Sequence, residues 1–234
     1  MAKGSKTGKG GAKGARDLSV RVKSARGRKP SSTRWLQRQL NDPYVAAAKR
    51  EGYRSRAAYK LVEMDDKLHF LKPGRVVVDL GAAPGGWSQV ASKRIREEHG
   101  GGHLVAIDIN EMEAVAGAHF LQCDFHDDKA PDQIRELIGE RGVDVVLSDM
   151  AEPATGHRQT DHLRIMALCE LALDFAREIL APNGVFIAKV LAGGTEHTLL
   201  ADMKRDFARV KHVKPKASRA DSAEMYVVAS GYRG

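Results

Sequence analysis

Three aspartates and one lysine stand where chemistry is easiest to build. Asp108, Asp124 and Asp149 each close or closely follow an apolar run, and Lys189 sits inside another, Val185-Phe186-Ile187-Ala188-Lys189-Val190-Leu191. A lysine within a buried strand is costly unless it is paired or neutralised, although at the strand end it can reach solvent along its aliphatic stem. Asp149 ends the neighbouring run 143–148, so its carboxylate can meet Lys189 at one crevice. A single strand-ending aspartate often just caps the next helix. Three after successive strands, beside a glycine-rich turn, describe a binding site.

That turn is Asp79-Leu80-Gly81-Ala82-Ala83-Pro84-Gly85-Gly86-Trp87. Small residues let a ligand approach the backbone closely. The glycine spacing is not the G-x-G-x-x-G of dinucleotide enzymes, and Pro84 removes an N–H that could face a diphosphate. A ligand joining an amino acid to a nucleoside without a diphosphate fits better, which points to S-adenosylmethionine. Asp108 is then placed to accept the ribose hydroxyls and Asp124 the adenine amine. The nine histidines are scattered; His157 and His162, five apart in an expected loop, are a poor metal signal, and no metal centre is expected.

The elements that must position these groups alternate. Residues 42–67 carry helical spacing interrupted at Gly52, with Arg54, Arg56 and Lys60 forming a basic face on the second half. Strands are expected over 75–80, 104–109, 119–122, 143–148, 184–191, 210–213 and 225–229. Helices are expected over 86–98, 132–140, 163–180 and 195–207. The alternation predicts an α/β fold, a doubly wound and mostly parallel seven-stranded sheet. Ligands in such sheets lie beyond the carboxyl ends of the strands, where the strand order reverses.

The net charge of +8 is unevenly placed. Residues 1–30 carry +9 and residues 31–60 a further +5, while 61–234 carry −6. Residues 1–33 are rich in Gly, Lys, Arg and Ser and cannot bury enough surface to offset ordering entropy, so a basic disordered extension is expected there, ahead of a domain over 34–234. A solubilising tail or a transit peptide would share that composition, but a basic arm beside an acidic body suits a polyanion such as RNA. Cys123 and Cys169 form no CxxC and no disulfide framework. No apolar run is long enough to span a bilayer, and no apolar stretch of a secretory signal follows the charged start. A cytoplasmic protein without membrane contact is expected.

The segments 79–89 (DLGAAPGGWSQ), 54–61 (RSRAAYKL), 147–151 (LSDMA), the strand around Lys189 and the stretch 218–228 together resemble the FtsJ family, over about residues 34–232. The resemblance implies a Rossmann-like methyltransferase acting, in bacterial members, on a uridine ribose 2′-hydroxyl of 23S ribosomal RNA in the large subunit, as a monomer. It implies a catalytic set of Lys60, Asp149, Lys189 and Glu224, with Lys189 expected as the general base or else only steering while the proton is lost to water, and cofactor contacts at Gly85, Trp87, Asp108, Asp124 and Asp149. A ribose methyltransferase of tRNA or of mitochondrial ribosomal RNA, or an RNA-binding assembly factor, remain the alternatives. The base-amine methyltransferase motif Asp/Asn-Pro-Pro-aromatic is replaced here by Asp149-Met150-Ala151. One departure is that Glu152-Pro153 follows Ala151, where the family usually has proline and then asparagine; altered loop contacts are expected there.

Overall fold

The computed structural model describes residues 21–22, 27, 29–96, 101–193 and 197–234. Most of the expected basic extension therefore lies outside the described residues. Its last residues do not: α1 (Pro30–Leu40) begins with Pro30 at its first turn, inside the stretch expected to be disordered. Proline suits that position because its missing N–H would have no helical partner. The chain divides into two compact units between Ala46 and Ala47, further along than the boundary expected at 33. α1 and most of the first half of α2 (Pro43–Glu51) belong to the first unit.

Gly52 ends α2 with a positive φ of 77°, as the interrupted spacing predicts. From there the second unit builds α3 (Ala58–Leu68), β1 (Val76–Leu80), α4 (Gly86–Arg96), β2 (His103–Asp108), β3 (Ala118–Gln122), α5 (Ala130–Ile138), β4 (Val143–Ser148), α6 (Arg158–Ile179), β5 (Leu180–Leu191), α7 (His197–Asp206), β6 (Phe207–Val213) and β7 (Glu224–Tyr232). The seven strands form one sheet in the order β3-β2-β1-β4-β5-β7-β6. The first five are parallel, and β7 runs antiparallel to both β5 and β6. The order reverses between β1 and β4, so a crevice opens at their carboxyl ends.

Each strand of the centre is apolar on both sides, and its residues alternate between two cores. Val78, Leu80, Ile107, Val146, Phe186, Ala188 and Val227 face the helices α5, α6 and α7. Val77, Leu104, Val145, Leu147, Ile187, Tyr226 and Val228 face α3 and α4. The period of two continues past the apolar runs and decides the site. Asp79, Asp149, Lys189 and Glu224 share the parity of the residues that face α3 and α4.

Candidate active site

α3 supplies the first lysine. Its inward stripe is Ala58, Leu61 and Met64, packed on the sheet, and Lys60 is also buried, at 7% exposure. Such burial demands partners, and the far end of the chain provides them. Lys60 Nζ lies 2.7 and 2.8 Å from the two carboxylate oxygens of Glu224, and donates to the Tyr226 hydroxyl at 3.2 Å. Ser218 Oγ also donates to Glu224, at 2.9 Å.

On β5, Lys189 Nζ donates to the Asp149 backbone carbonyl at 2.8 Å and lies 2.9 Å from its carboxylate. Glu224 is 3.9 Å away on the other side. Tyr226 closes the circuit by donating its hydroxyl to Asp149 at 2.7 Å. The four residues implied by the resemblance are thus joined in one network, with Tyr226 at its centre. Tyr226 did not stand out in the sequence because an aromatic residue in a strand reads as core, and it is fully buried. Its only sequence signal is position: it shares the face of Glu224, two residues earlier, and pairs with Lys189 across β5 and β7.

Electrostatics shifts three groups of this network. Burial pulls the Lys189 ammonium down, but the carboxylates of Asp149 and Glu224 outweigh it and hold it above its ordinary value. Burial likewise pushes Asp149 up, and the charges of Lys189 and Lys60 hold it below the usual carboxylate range. Burial and the two neighbouring carboxylates put the Tyr226 phenol well above its ordinary value. At neutral pH Lys189 and Asp149 are therefore a charged pair rather than a carboxylate beside a free amine.

Beside it, a cavity of about 680 Å³ runs over the strand ends of β1, β2, β3 and β4. Leu80, Ile107, Ile109, Phe125 and Leu168 supply apolar wall, while Asp108, Asp124, Asp149 and Glu152 supply carboxylates; no lysine or arginine lines it. Asp108 accepts the N–H of Ala83 at 2.9 Å and that of Asn110 at 2.8 Å. Asp124 accepts from the backbone of His126, which lowers its carboxyl, and stays half exposed. Such a lining repels phosphate. It suits a ligand rich in hydroxyl and amine donors that carries positive charge, and the size is that of a small-molecule site. The donor set therefore fits S-adenosylmethionine.

Gly85 and Trp87, expected as cofactor contacts, are not among the residues that line this cavity. The Trp87 ring is turned into the core, where its indole N–H donates to the Ala57 carbonyl at 2.9 Å and its face meets Tyr226 with ring centroids 5.4 Å apart. Gly85 has φ +104°, and a Cβ there would fall 2.9 Å from both Arg54 Nη1 and Met112 Sδ. Arg54 explains the crowding. Its guanidinium donates to the carbonyls of Pro84 (3.4 Å), Glu113 (2.5 Å) and Ala114 (2.7 Å), and its backbone N–H to Gln89 (2.9 Å). Gln89 in turn donates to the Gly52 carbonyl at 3.0 Å.

This corrects the expected basic face. Arg54 is spent on backbone carbonyls, Arg56 donates to the Ala217 carbonyl at 2.5 Å, and Lys60 is buried in the site. These three cations hold the site together rather than offering themselves to a polyanion. At the departure from the family pattern, Glu152 pairs with Arg164 of α6 at 3.1 Å, tying the segment after β4 to that helix. Among the described residues no group of histidine, cysteine and carboxylate side chains is placed to hold a metal ion, and no helix is long and apolar enough to cross a membrane.

A family model described as FtsJ-like methyltransferase matches residues 53–232. A curated protein of Parvibaculum lavamentivorans, named ribosomal RNA large subunit methyltransferase E, is 63% identical over 238 aligned residues, covering 99% of this chain and 93% of that protein. The protein of the same name from Azorhizobium caulinodans is 65% identical over 220 residues, covering 94% and 91%. A solved structure described as a ribosomal RNA methyltransferase from Plasmodium falciparum superposes with a TM-score of 0.69 at 31% identity, covering 78% of this chain and 100% of that one.

Proposed function

The chain belongs to the FtsJ-like methyltransferase family, and from that membership we propose that it methylates the ribose 2′-hydroxyl of a uridine in 23S ribosomal RNA of the large ribosomal subunit, using S-adenosylmethionine. The observation that carries this reading is the buried Lys60 and the partly buried Lys189, held by Asp149, Glu224 and Tyr226 next to an acidic, nucleoside-sized cavity.

S-adenosylmethionine supplies an already activated sulfonium methyl group. What is left for the protein is to bind, align and manage one proton. Asp108 and Asp124 hold donors of the nucleoside, and Asp149 stands at the boundary between the cavity and the lysines. The acceptor hydroxyl is a weak acid, so negative charge grows on its oxygen as the proton leaves. Two ammonium groups preorganised by buried carboxylates stabilise such charge without reorganising. Of the two roles open to Lys189, general base or charge stabiliser, its raised pKa favours the second: it is an ammonium in the free protein, and the proton passes to solvent water. Glu224 and Tyr226 fix the Lys60 ammonium, and Asp149 fixes Lys189.

The deciding experiment supplies methyl-labelled cofactor with naked 23S RNA or with assembled, unmethylated large subunits, and maps alkali-resistant linkages. Label at a ribose 2′-oxygen of a uridine is the expected result. Label on bases, or none with either substrate, overturns the assignment. A ribosomal RNA substrate supports a cytoplasmic location for this activity.

A further inference from the structure

Lys189 and Glu224 stand between two cavities. On one side lies the acidic cavity over β1 to β4, whose last wall is Asp149–Pro153. On the other, a separate cavity of about 390 Å³ opens where α6 begins, over the ends of β5 and β7. Arg158, Gln159 and His162 line it from the helix, and Leu191, Ala192 and Ala223 from the strands. Its floor is continuous with the catalytic network. Leu191 pairs with Glu224, Lys189 lies two residues before Leu191, and the Ala192 N–H closes the strand ends by donating to the Ala223 carbonyl at 2.6 Å.

The two cavities have opposite chemistry. A ribose within a polynucleotide brings phosphates on both sides, and the four carboxylates of the first cavity repel them. Among the described residues no carboxylate lines the second. Arg158 is exposed and has no ion pair or hydrogen bond among the described residues, unlike Arg54, Arg56 and Arg164. Gln159 and His162 add donors and acceptors, and Leu163, 53% exposed, stands one helical turn from Gln159 as a bare apolar surface. A lone guanidinium, polar edges and an apolar face are what a phosphate and an unstacked base require.

We propose that this second cavity receives the nucleotide adjoining the target ribose in a single-stranded stretch of the RNA, with Arg158 on its phosphate and Gln159, His162 and Leu163 against its base. The proposal rests on the ribose methylation reading, and its test separates the two. Binding of the full chain to a short single-stranded oligoribonucleotide is measured across salt concentrations for the parent, Arg158→Ala, Arg158→Lys and His162→Ala. One lost phosphate contact lowers the slope of log affinity against log salt by about 0.7, with binding weakened about fivefold at low salt. Arg158→Lys should restore the slope, because a phosphate accepts a point charge. His162→Ala should weaken binding and leave the slope in place. The same oligonucleotide with a 4-thiouridine beside the acceptor should crosslink within residues 158–163. Unchanged slope in Arg158→Ala, or crosslinks confined elsewhere, overturns the proposal whether or not the parent transfers methyl groups. A lowered slope from a parent that methylates no RNA leaves the cavity assignment standing and removes the reaction.

Discussion

Lys189 tests how far a buried amine can be read from its neighbours. Because its folded-state pKa is raised, it is protonated throughout the neutral range. If it takes the proton, the rate must rise with pH through that range as the neutral amine appears. If it serves by charge, Lys189→Arg should keep measurable activity with an unshifted pH–rate profile, while Lys189→Ala should lose on the order of a hundredfold or more in kcat. A profile whose alkaline rise vanishes in Lys189→Arg would restore the base role. In sequence, Lys189 and Asp149 were legible because a charge inside an apolar run is conspicuous. Lys60 and Glu224 were not, since a lysine on a helix and a glutamate at a strand edge are ordinary surface residues; only the family resemblance singled them out. Tyr226 was hidden for the opposite reason, because burial is what an aromatic strand residue does anyway.

At the scale of elements, the segments 54–61 and 79–89, two separate strings in sequence, are one interlocked piece. Trp87 and Gln89 of α4 reach to Ala57 and Gly52, and Arg54 reaches back to Pro84 and on to Glu113 and Ala114. The loop at the cofactor cavity and the start of the helix bearing Lys60 are therefore positioned together. Arg54→Ala should raise the KM for the cofactor and lower kcat together, and Arg54→Lys should not rescue it, because a point charge cannot serve three carbonyls as a planar fork does. Trp87→Phe shrinks the buried ring and removes the indole N–H from the Ala57 carbonyl, which keeps the Lys60 N–H; a loss of about 1 kcal/mol or more by urea denaturation is expected. Most strands and helices were legible from period and punctuation. The misses have physical causes. α1 carries too few apolar residues to show a stripe. α6 begins at Arg158, five residues before the expected start, because His157 caps it through the Thr160 N–H and its first turn is polar. β5 starts at Leu180, across the Pro182-Asn183-Gly184 turn signal, where its pairing with β4 shifts register.

For the whole molecule, stability and RNA affinity respond to different charges. Asp79 is fully buried beneath the cofactor loop; burial pushes its carboxyl up to about 7, against the hydrogen bond donated by Ser88 at 2.6 Å. The folded chain therefore keeps a proton that the unfolded chain releases near pH 4. The stability tied to that proton is present below about pH 4 and is lost as pH rises to about 7. Asp79→Asn should accordingly raise the melting temperature of the free protein more at pH 8 than at pH 5; an equal shift at both would contradict the burial argument. For the basic residues of the extension the expected partner is RNA instead. Removing residues 1–29, which leaves α1 whole, should weaken RNA binding and flatten its salt dependence, with the cofactor KM unmoved.

Lys60 and Glu224 meet across 164 residues of sequence, whereas the lining of the cofactor cavity is complete by Leu168. During synthesis the walls that take a methyl donor are thus made well before the carboxylate and phenol that hold Lys60. The chemistry waits on the strand that ends the chain, and joining β7 beside β5 is at once the closing of the sheet and the arming of the enzyme. A chain lacking that strand lacks Glu224 and Tyr226, the partners that hold Lys60.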